Sequence, residues 1–250
     1  MKDFCAVILA AGKGTRIKAR KINKVMSPLA GKPMISYTVD LLKKSGFKKI
    51  IVVVGFLKKL IMDYFGDRFI YAEQKKRLGT AHALRAALLK IPSGTKNVFS
   101  CYSDDTAFYP PSVIKRLVKI HLIRKQDLTV LTVIKDNPFG LGRIIRDRQG
   151  KIRGIVEEKN ATPTQKKIKE INTGCYCFNL EFLREYLPLI KKDPIKKEYY
   201  LTDIVSLAIK GGKKVNTVKV MQGEYFHGVN TKEQLLEAQK KMERILKERN

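Results

Sequence analysis

The stretch that decides the fold is Phe4-Cys5-Ala6-Val7-Ile8-Leu9-Ala10-Ala11-Gly12-Lys13-Gly14-Thr15-Arg16. Phe4–Ala10 is a short and nearly continuous apolar run, which is typical of a strand buried on both faces of a parallel sheet. Two glycines and small residues follow, and they allow the backbone to turn sharply and to approach a ligand closely. The sequence therefore opens with a buried strand and a glycine-rich loop at its carboxyl end.

Strand-like and helix-like segments alternate through the first half of the chain. The predicted strands are 4–10, 49–54, 69–72, 97–102 and 128–134, and the predicted helices are 34–44, 57–65, 80–89 and 112–124. Strands separated by helices of about 10–15 residues require crossover connections, which give a parallel sheet covered on both faces.

The second half has a different pattern. Segments 142–146 and 151–157 flank Asp147-Arg148-Gln149-Gly150, which predicts a hairpin turn. Further strands are predicted at 173–178 and 215–220, further helices at 180–187 and 202–210, and a charged amphipathic helix at 231–249. We therefore predict a Rossmann-like, doubly wound α/β fold with a mostly parallel sheet and a substrate-side β-rich insertion. One domain spans 1–230, and a C-terminal amphipathic helix occupies 231–250.

Composition limits the class of protein. The chain has 250 residues, of which 44% are apolar and 30% charged, so a folded globular protein is expected rather than a disordered one. No apolar run approaches the roughly 18 residues that a membrane helix needs, and the N-terminus leads directly into a strand. Four cysteines lie on apolar segments without paired metal-binding spacing. We therefore expect no membrane association, reduced core cysteines and a cytoplasmic location.

The net charge of +28, from 51 Lys and Arg against 23 Asp and Glu, raises the question of a polyanionic partner. The basic residues form short clusters along the whole chain, and no aromatic residues interleave with them as in single-strand-binding grooves. This distribution favours a solvated basic surface over a nucleic-acid site. Local clusters that attract a small polyphosphate substrate are the third interpretation.

The glycine-rich loop resembles neither of two well-known phosphate-binding patterns. It lacks the G-x-x-x-x-G-K-[ST] spacing, and Ile17 stands where a dinucleotide fingerprint has its third glycine. Basic residues follow the loop at Arg16, Lys18 and Lys24, among others. Backbone amides combined with Arg and Lys suit several phosphates, as in a nucleoside triphosphate, although a plain tight turn would have the same glycines.

Polar residues also follow two other predicted strands. Ser103-Asp104-Asp105 comes after strand 97–102, and the carboxyl ends of parallel strands share one edge of the sheet. One carboxylate with substrate phosphates is a common way to hold Mg²⁺, whereas Asp104 as a turn or helix cap is the structural alternative. Gln74 and the Gly79-Thr80 turn could recognise a base edge, with a helix cap at Thr80 as the alternative.

These motifs and several later ones support a family resemblance. With the opening stretch, the chain resembles sugar-phosphate nucleotidyltransferases, and more narrowly the uridylyltransferase (pyrophosphorylase) domain of bacterial N-acetylglucosamine-1-phosphate uridylyltransferase. The matching segments are Lys24-Val25-Met26, Leu29-Ala30-Gly31-Lys32-Pro33-Met34, Leu78-Gly79-Thr80-Ala81-His82-Ala83, Gly142-Arg143-Ile144-Ile145, Gly154-Ile155-Val156-Glu157-Glu158-Lys159, Glu170-Ile171-Asn172-Thr173-Gly174, Glu198-Tyr199-Tyr200-Leu201-Thr202-Asp203 and Gly228-Val229-Asn230.

The resemblance implies the nucleotide-diphospho-sugar transferase fold and a magnesium-assisted reaction. UTP and N-acetylglucosamine 1-phosphate would give UDP-N-acetylglucosamine and pyrophosphate by in-line attack on the α-phosphorus. It also implies a role for each matching residue. The implied catalytic residues are Arg16 and Lys24; the nucleotide-binding residues are Leu9, Ala10, Ala11, Gly12, Gly14, Gln74, Gly79, Thr80, Tyr102 and Ser103; the sugar-binding residues are Gly142, Glu157 and Asn172; and the Mg²⁺ ligands are Asp104 and Asn230.

Four departures from the family pattern bear on substrate identity. Asn23 replaces a proline and is expected to loosen Lys24, while Ser103 replaces a glycine and is expected to add a Cβ beside the nucleotide. Asp105-Thr106-Ala107 replaces an apolar stretch, and Lys197 replaces a glycine. Another sugar 1-phosphate or nucleotide, of the UDP-glucose or dTDP-glucose type, therefore stays open. The charge of +28 leaves a second alternative, a catalytically silent homologue that binds a polyanion.

The C-terminal end of the sequence carries a further expectation. The chain stops at Asn250 without the hexapeptide repeat of the two-activity family enzyme. From this we expect no acetyltransferase activity and none of the trimer contacts that the repeat supplies. The expected assembly is a monomer or a weak homo-oligomer.

Overall fold

The computed structural model describes residues 1–14, 23–229 and 231–248 of the chain. Within these residues the strands are β1 (Phe4–Leu9), β2 (Pro28–Leu29), β3 (Lys32–Pro33), β4 (Lys49–Val54), β5 (Ile70–Glu73), β6 (Asn97–Tyr102), β7 (Leu128–Ile134), β8 (Arg143–Arg146), β9 (Ile152–Val156), β10 (Glu170–Asn179) and β11 (Val215–Val220). The helices are α1 (Met34–Lys44), α2 (Lys58–Phe65), α3 (Thr80–Leu88), α4 (Pro111–Ile123), α5 (Pro163–Lys166), α6 (Leu180–Tyr186), α7 (Asp203–Lys210) and α8 (Lys232–Lys247).

The main sheet has the strand order β11-β7-β10-β6-β1-β4-β5. Neighbouring strands run parallel throughout this order, except that β10 pairs antiparallel with both β6 and β7. The hairpin β8–β9 joins the sheet where Arg143 pairs with Ile171 of β10. The prediction of a mostly parallel sheet with a β-rich insertion is therefore confirmed, and the antiparallel β10 is a feature that the sequence pattern did not indicate.

Strand β1 shows why the sheet is covered on both faces. All six of its residues are buried, and alternate residues contribute to two different apolar clusters. Phe4, Ala6 and Ile8 pack in one cluster with α1, α2 and α4, whereas the intervening residues pack in the other with α3, α6 and α7. Burial of both faces favours apolar residues along the whole strand, which explains the continuous apolar run.

Several predicted elements have the same bounds in the structure. Helix α1 and strands β4, β6, β7 and β11 have the predicted ends. Strand β10 is longer than the predicted 173–178 because polar residues at its start are also paired in the sheet. A bulge between Asn172 and Tyr176 interrupts its pairing with β7.

Helix α8 packs against the main body through a third, smaller apolar cluster. Ala238 and Met242 of the helix belong to this cluster together with Leu29 and Phe108, and the Ala30 amide donates a 2.8 Å hydrogen bond to the Gln239 side chain. Among the described residues, no helix combines the length and hydrophobicity that a membrane crossing requires. The four cysteines are free and buried.

Lys197 adopts a backbone conformation that glycine tolerates better. Its φ is +56°, in the left-handed region, and its side chain is exposed. The preceding turn is fixed by Asp193, whose carboxylate accepts hydrogen bonds from the Ile195 and Lys196 amides at 3.0 and 2.7 Å. The turn therefore holds Lys197 in place although the Cβ strains its backbone.

We expect Lys197→Gly to raise the free energy of unfolding by about 1 kcal/mol, because removing the Cβ relieves left-handed strain worth roughly 1–2 kcal/mol and the added flexibility of the unfolded chain offsets part of it. Urea denaturation followed by circular dichroism measures the change. Lys196→Gly is the matched control, since φ at Lys196 is not positive, and it should lower the stability. Equal destabilisation by both substitutions would contradict the assignment.

Candidate active site

A cleft of about 660 Å³ opens at the carboxyl ends of the parallel strands. Segments that follow β1, β5 and β6 form one wall, and the β8–β9 hairpin with the start of β10 and the segment before α7 forms the other. Its lining residues are Leu9, Ala10, Ala11, Gly12, Lys13, Gly14, Lys24, Val25, Gln74, Arg77, Gly79, Thr80, Ala83, Tyr102, Asp104, Asp105, Gly140, Leu141, Gly142, Glu157, Asn172, Thr173, Gly174, Glu198, Tyr200, Thr202 and Phe226.

The cleft gathers nearly all the residues that the sequence singled out. Every predicted site residue that the structure describes lies on its lining, with the exception of Ser103. Arg16 and Asn230 lie outside the described residues. Residues far apart in the sequence thus meet at one edge of the sheet, and those that follow β1, β5 and β6 do so as the rule for parallel strands requires.

Ser103 lies in the protein interior. The residue has no exposed surface, and its carbonyl oxygen accepts a 2.8 Å hydrogen bond from the Thr38 hydroxyl of α1. Its own hydroxyl has no partner among the described residues. The expectation that its Cβ projects toward a nucleotide is therefore wrong, because the bond to α1 keeps this residue beneath the cleft surface.

The glycine-rich loop combines an open side with a closely packed one. A Cβ built at Gly12 would meet no described atom within 4 Å, so the backbone there is accessible from the cleft. A Cβ at Gly14, where φ is +62°, would lie 2.5 Å from the Lys24 Cβ. Gly12 therefore leaves room for a ligand, whereas Gly14 is required by the approach of Lys24.

Asn23 fixes the turn that carries Lys24. Its side chain is fully buried, and Nδ2 donates to the carbonyl oxygens of Phe56 at 2.7 Å and Ala10 at 3.4 Å. Its Oδ1 accepts a 3.2 Å hydrogen bond from the Val25 amide. The expectation that Asn23 loosens Lys24 is wrong, since the asparagine joins this turn to the loops that follow β1 and β4.

Lys24 and Asp104 form an ion pair across the cleft wall. Lys24 Nζ contacts Asp104 Oδ2, and the two side chains are only 13% and 15% exposed. The partial exclusion of water strengthens their attraction relative to a surface pair. Helix α4 has Pro110 as its N-cap, so a helix-capping role for Asp104 is excluded. The pair places a cation and an anion side by side where a ligand would enter.

The donor set around Asp104 suits Mg²⁺. Asp104 and Asp105 both line the cleft, and the described residues contain no cluster of three or more His, Cys, Asp or Glu arranged around a metal site. Magnesium typically takes one or two carboxylates and completes its shell with water and substrate phosphates. A carboxylate has about four lone-pair positions, so the contact with Lys24 leaves Asp104 acceptor capacity for a metal.

Gln74 presents an amide to the cleft wall formed by the segments that follow β1, β5 and β6. The residue is buried, and its Nε2 lies 3.0 Å from the Gly79 carbonyl oxygen and 3.1 Å from His82 Nδ1. Burial and the nearby Arg85 lower the pKa of His82, which favours the neutral ring as the acceptor of this hydrogen bond. With both N–H groups engaged, the amide oxygen is the atom that can meet a base edge.

The Gly79-Thr80 turn packs against and hydrogen-bonds to the segment before α7. At Gly79, φ is +95°, and a Cβ would lie 2.5 Å from the Tyr199 carbonyl oxygen, so only glycine fits. The Thr80 hydroxyl accepts a 2.9 Å hydrogen bond from the Leu201 amide. Thr80 makes no cap hydrogen bond to α3, whose N-cap is Gly79, and the helix-cap alternative is therefore excluded.

Glu157 and Asn172 stand on the opposite wall. Glu157 Oε1 accepts a 3.1 Å hydrogen bond from the Thr202 hydroxyl, and burial raises the pKa of Glu157 above its ordinary range. Asn172 Nδ2 donates to the Tyr176 hydroxyl at 2.8 Å, and its Oδ1 accepts from the Gly174 amide. Both polar side chains are therefore oriented by neighbours before any ligand arrives.

Arg143 supports this wall from beneath and was not predicted as a site residue. Its guanidinium, 1% exposed, lies 2.5 Å from Glu158 Oε2 and donates to the Leu141 carbonyl oxygen. The same Glu158 oxygen accepts a hydrogen bond from the Gly140 amide. A buried arginine thus fixes the Gly140–Gly142 segment, and only its place beside Gly142 in the family motif could have indicated this.

Other cleft residues were also missed by the sequence interpretation. Lys13 and Arg77 lie over the Phe56 ring, at 5.6 and 5.9 Å from its centroid. Tyr200 stands in a matching segment without an assigned role, and it also lines the cleft. Phe226 had no local signal, because its place in the cleft depends on the chain returning to the sheet after β11.

Comparison with known proteins identifies relatives across nearly the whole chain. A family model described as nucleotidyl transferase matches residues 5–245. The chain is 42% identical to the bifunctional protein GlmU of Carboxydothermus hydrogenoformans over 229 residues, covering 92% of this chain and 50% of that protein. It is 39% identical to the bifunctional protein GlmU of Caldanaerobacter subterraneus subsp. tengcongensis, covering 100% of this chain and 54% of that protein. The chain thus spans about half the length of these curated relatives.

A solved structure supports the fold assignment. It is a putative glucose-1-phosphate thymidylyltransferase from Bacillus anthracis, with a TM-score of 0.79, 24% identity and 94% coverage of both chains. This likeness confirms the predicted α/β nucleotide-sugar transferase fold. Because the family model covers residues 5–245 and the relatives named above match over most of its length, the chain belongs to the nucleotidyl transferase family.

Proposed function

We propose that the protein transfers a uridylyl group from UTP to N-acetylglucosamine 1-phosphate, which releases pyrophosphate and forms UDP-N-acetylglucosamine. The observation that carries the proposal is the Lys24–Asp104 ion pair beside the open backbone of Gly12, in a cleft that also holds Gln74. The similarity to bifunctional proteins named GlmU supports the choice of substrates.

The chemistry needs positioning and charge stabilisation more than acid–base catalysis. An oxygen of the sugar phosphate attacks the α-phosphorus and forms a new P–O bond, while the bond to the β-phosphate oxygen breaks and pyrophosphate leaves with its electron pair. The attacking oxygen is already anionic at neutral pH, so no general base is required. Lys24, together with Arg16 as the resemblance implies, would stabilise the charge that moves onto pyrophosphate.

Two sets of side chains would orient the reactants. The Gln74 amide oxygen would accept a hydrogen bond from uracil N3–H, which cytosine lacks and thymine shares. On the opposite wall, Glu157 and Asn172 would bind hydroxyl or acetamido groups of the sugar, close to the backbone of Gly142. Since thymine presents the same N3–H, dTTP belongs among the nucleotides to be tested.

Asp104 would hold Mg²⁺, with Asn230 as the second ligand that the resemblance implies and Asp105 nearby on the cleft lining. A bound Mg²⁺ would screen the repulsion between the two anionic reactants. The contribution of Asp104 itself is to keep a carboxylate at the cleft edge, where Lys24 already fixes its orientation.

A pyrophosphate-release assay tests the proposal directly. We expect release from UTP with N-acetylglucosamine 1-phosphate that depends on Mg²⁺, and slower release with glucose 1-phosphate or with dTTP. A reversed preference would correct the substrate pair but keep the reaction. Absence of release from every pair, together with steeply salt-dependent binding of a polyanion such as heparin, would instead establish a catalytically silent homologue.

Asp104→Asn should lower kcat/KM by about 100-fold or more, since loss of a few kcal/mol of charge stabilisation has that effect on the rate. The substitution preserves side-chain size, and a circular dichroism melt checks the fold. Asp136→Asn is the matched control, because Asp136 is 99% exposed outside the cleft. Turnover of Asp104→Asn within a few-fold of the unsubstituted protein would refute the metal role.

The neighbouring Glu157 and Glu158 should show opposite pH dependence of stability. Burial raises the pKa of Glu157, so its charged form costs stability once the pH exceeds the ordinary value of 4.5. Glu157→Gln should therefore stabilise the protein at pH 8, and the gain should shrink as the pH falls through the raised pKa.

At Glu158 the hydrogen bond from Arg143 lowers the pKa. Its stabilising contribution is present above pH 4.5 and is lost as the pH falls through the lowered pKa. Glu158→Gln should thus destabilise the protein at pH 8, with a smaller effect in acid. Urea denaturation across pH 4–8 measures both variants, and effects of the same sign at pH 8 would contradict the assignment.

A further inference from the structure

The segment that carries Lys24 is held by one buried side chain. Asn23 precedes a single turn of 3-10 helix, Lys24–Met26, and acts as its N-cap by accepting a hydrogen bond from the Val25 amide. The turn is closed by two backbone hydrogen bonds, from Met26 N to the Asn23 carbonyl oxygen at 2.8 Å and from Ser27 N to the Lys24 carbonyl oxygen at 3.1 Å. The backbone at Lys24 therefore has a defined conformation.

The amide nitrogen of the Asn23 side chain hydrogen-bonds to the loops that follow two different strands. Nδ2 donates to the Phe56 carbonyl oxygen after β4 and to the Ala10 carbonyl oxygen after β1. A direct hydrogen bond also joins these two loops, from Phe56 N to the Ala11 carbonyl oxygen at 3.2 Å. Asn23 thus locates the Lys24 turn relative to the sheet edge from which the cleft is built.

We propose that Asn23 is a positioning residue, whose three hydrogen bonds hold the Lys24 ammonium beside Asp104 where the triphosphate binds. The inference rests on the proposed function, because that function makes Lys24 a phosphate-binding cation. The full burial of Asn23 supports the proposal, since its amide is sequestered from water and its hydrogen bonds are to protein atoms. A shift of about 1 Å in a group that contacts the reacting phosphates can cost 100-fold in rate.

The backbone of Asn23 allows a discriminating substitution. Its φ of −64° matches the value that a proline ring imposes, and its ψ of 132° lies in the extended region that proline also adopts. Asn23→Pro keeps this φ but removes the side-chain hydrogen bonds, whereas Asn23→Ala removes the bonds and leaves φ free. If Asn23 acts by fixing the backbone, proline at this position should therefore restore part of its function, whereas alanine should not.

We expect Asn23→Ala to lower kcat about 10- to 100-fold with a smaller change in KM for the sugar phosphate, and Asn23→Pro to recover part of that loss. Asn179→Ala is the matched control: Asn179 caps α6 by accepting a hydrogen bond from the Phe182 amide, and it lies at the opposite end of β10 from the cleft. It should cost stability but leave kcat within twofold. Thermal melts of all variants separate folding from turnover.

A double-mutant cycle tests whether the effect passes through Lys24. In a Lys24→Ala background, adding Asn23→Ala should change neither kcat nor UTP affinity by more than twofold. If Lys24→Ala turns over too slowly to assay, calorimetric titration with UTP in the absence of turnover measures the coupling energy between Asn23 and Lys24 from the UTP affinities. A full additive loss in that background, or an Asn23→Ala variant within twofold of the unsubstituted protein, would overturn the proposal.

Failure of the proposed function would be recognised separately. If the unsubstituted protein neither releases pyrophosphate nor binds UTP, the uridylyl-transfer assignment is wrong. Crystal structures of Asn23→Ala and Asn23→Pro then decide the inference. Loss of the Lys24–Asp104 contact in the alanine variant and its retention in the proline variant would support the positioning role, and an unchanged contact in the alanine variant would refute it.

Discussion

The ion pair of Lys24 with Asp104 is the interaction on which the arrangement of the cleft depends. It joins the turn at Lys24 to the segment after β6, and both side chains of the pair are largely shielded from water. Gly14 permits the approach of Lys24, while the buried bond from Thr38 to the Ser103 carbonyl holds the backbone next to Asp104. Both charged side chains are therefore held in place by the packing of the sheet and α1.

The two walls of the cleft have different structural origins. Parallel strands bring the glycine-rich loop, Gln74 and Asp104 to one edge because their carboxyl ends coincide. The opposite wall depends on β10, which runs antiparallel between β6 and β7 and so brings the start of the strand to the same edge. Asn172 lies on that first part of β10, and the β8–β9 hairpin that carries Glu157 attaches there. One reversed strand thus supplies the wall that faces the glycine-rich loop, Gln74 and Asp104.

The sequence predicted those features of the fold that depend on the local pattern of apolar residues. Strands buried on both faces are mostly apolar, and this pattern located β4 and β6 with their observed ends. Contacts between distant segments leave no such signal in the sequence. The interior position of Ser103 depends on its hydrogen bond with Thr38. The fixed conformation of the Lys24 turn depends on the hydrogen bond from Asn23 to Phe56. Sequence reasoning treated both as departures from a family pattern, although each is accommodated by hydrogen bonds that only the fold creates.

The distribution of charge in the cleft argues for a small substrate over a long polyanion. The whole chain carries +28, yet the described cleft lining includes the acidic Asp104, Asp105, Glu157 and Glu198 beside the basic Lys13, Lys24 and Arg77. A groove for a nucleic-acid backbone would be lined mainly by cations. A lining with both acidic and basic residues instead suits a polyphosphate that arrives with a divalent cation. The carboxylates can then bind the cation while the lysine binds the phosphates. The excess positive charge of the chain as a whole would raise the local concentration of such anions, while selection among them would depend on the cleft itself.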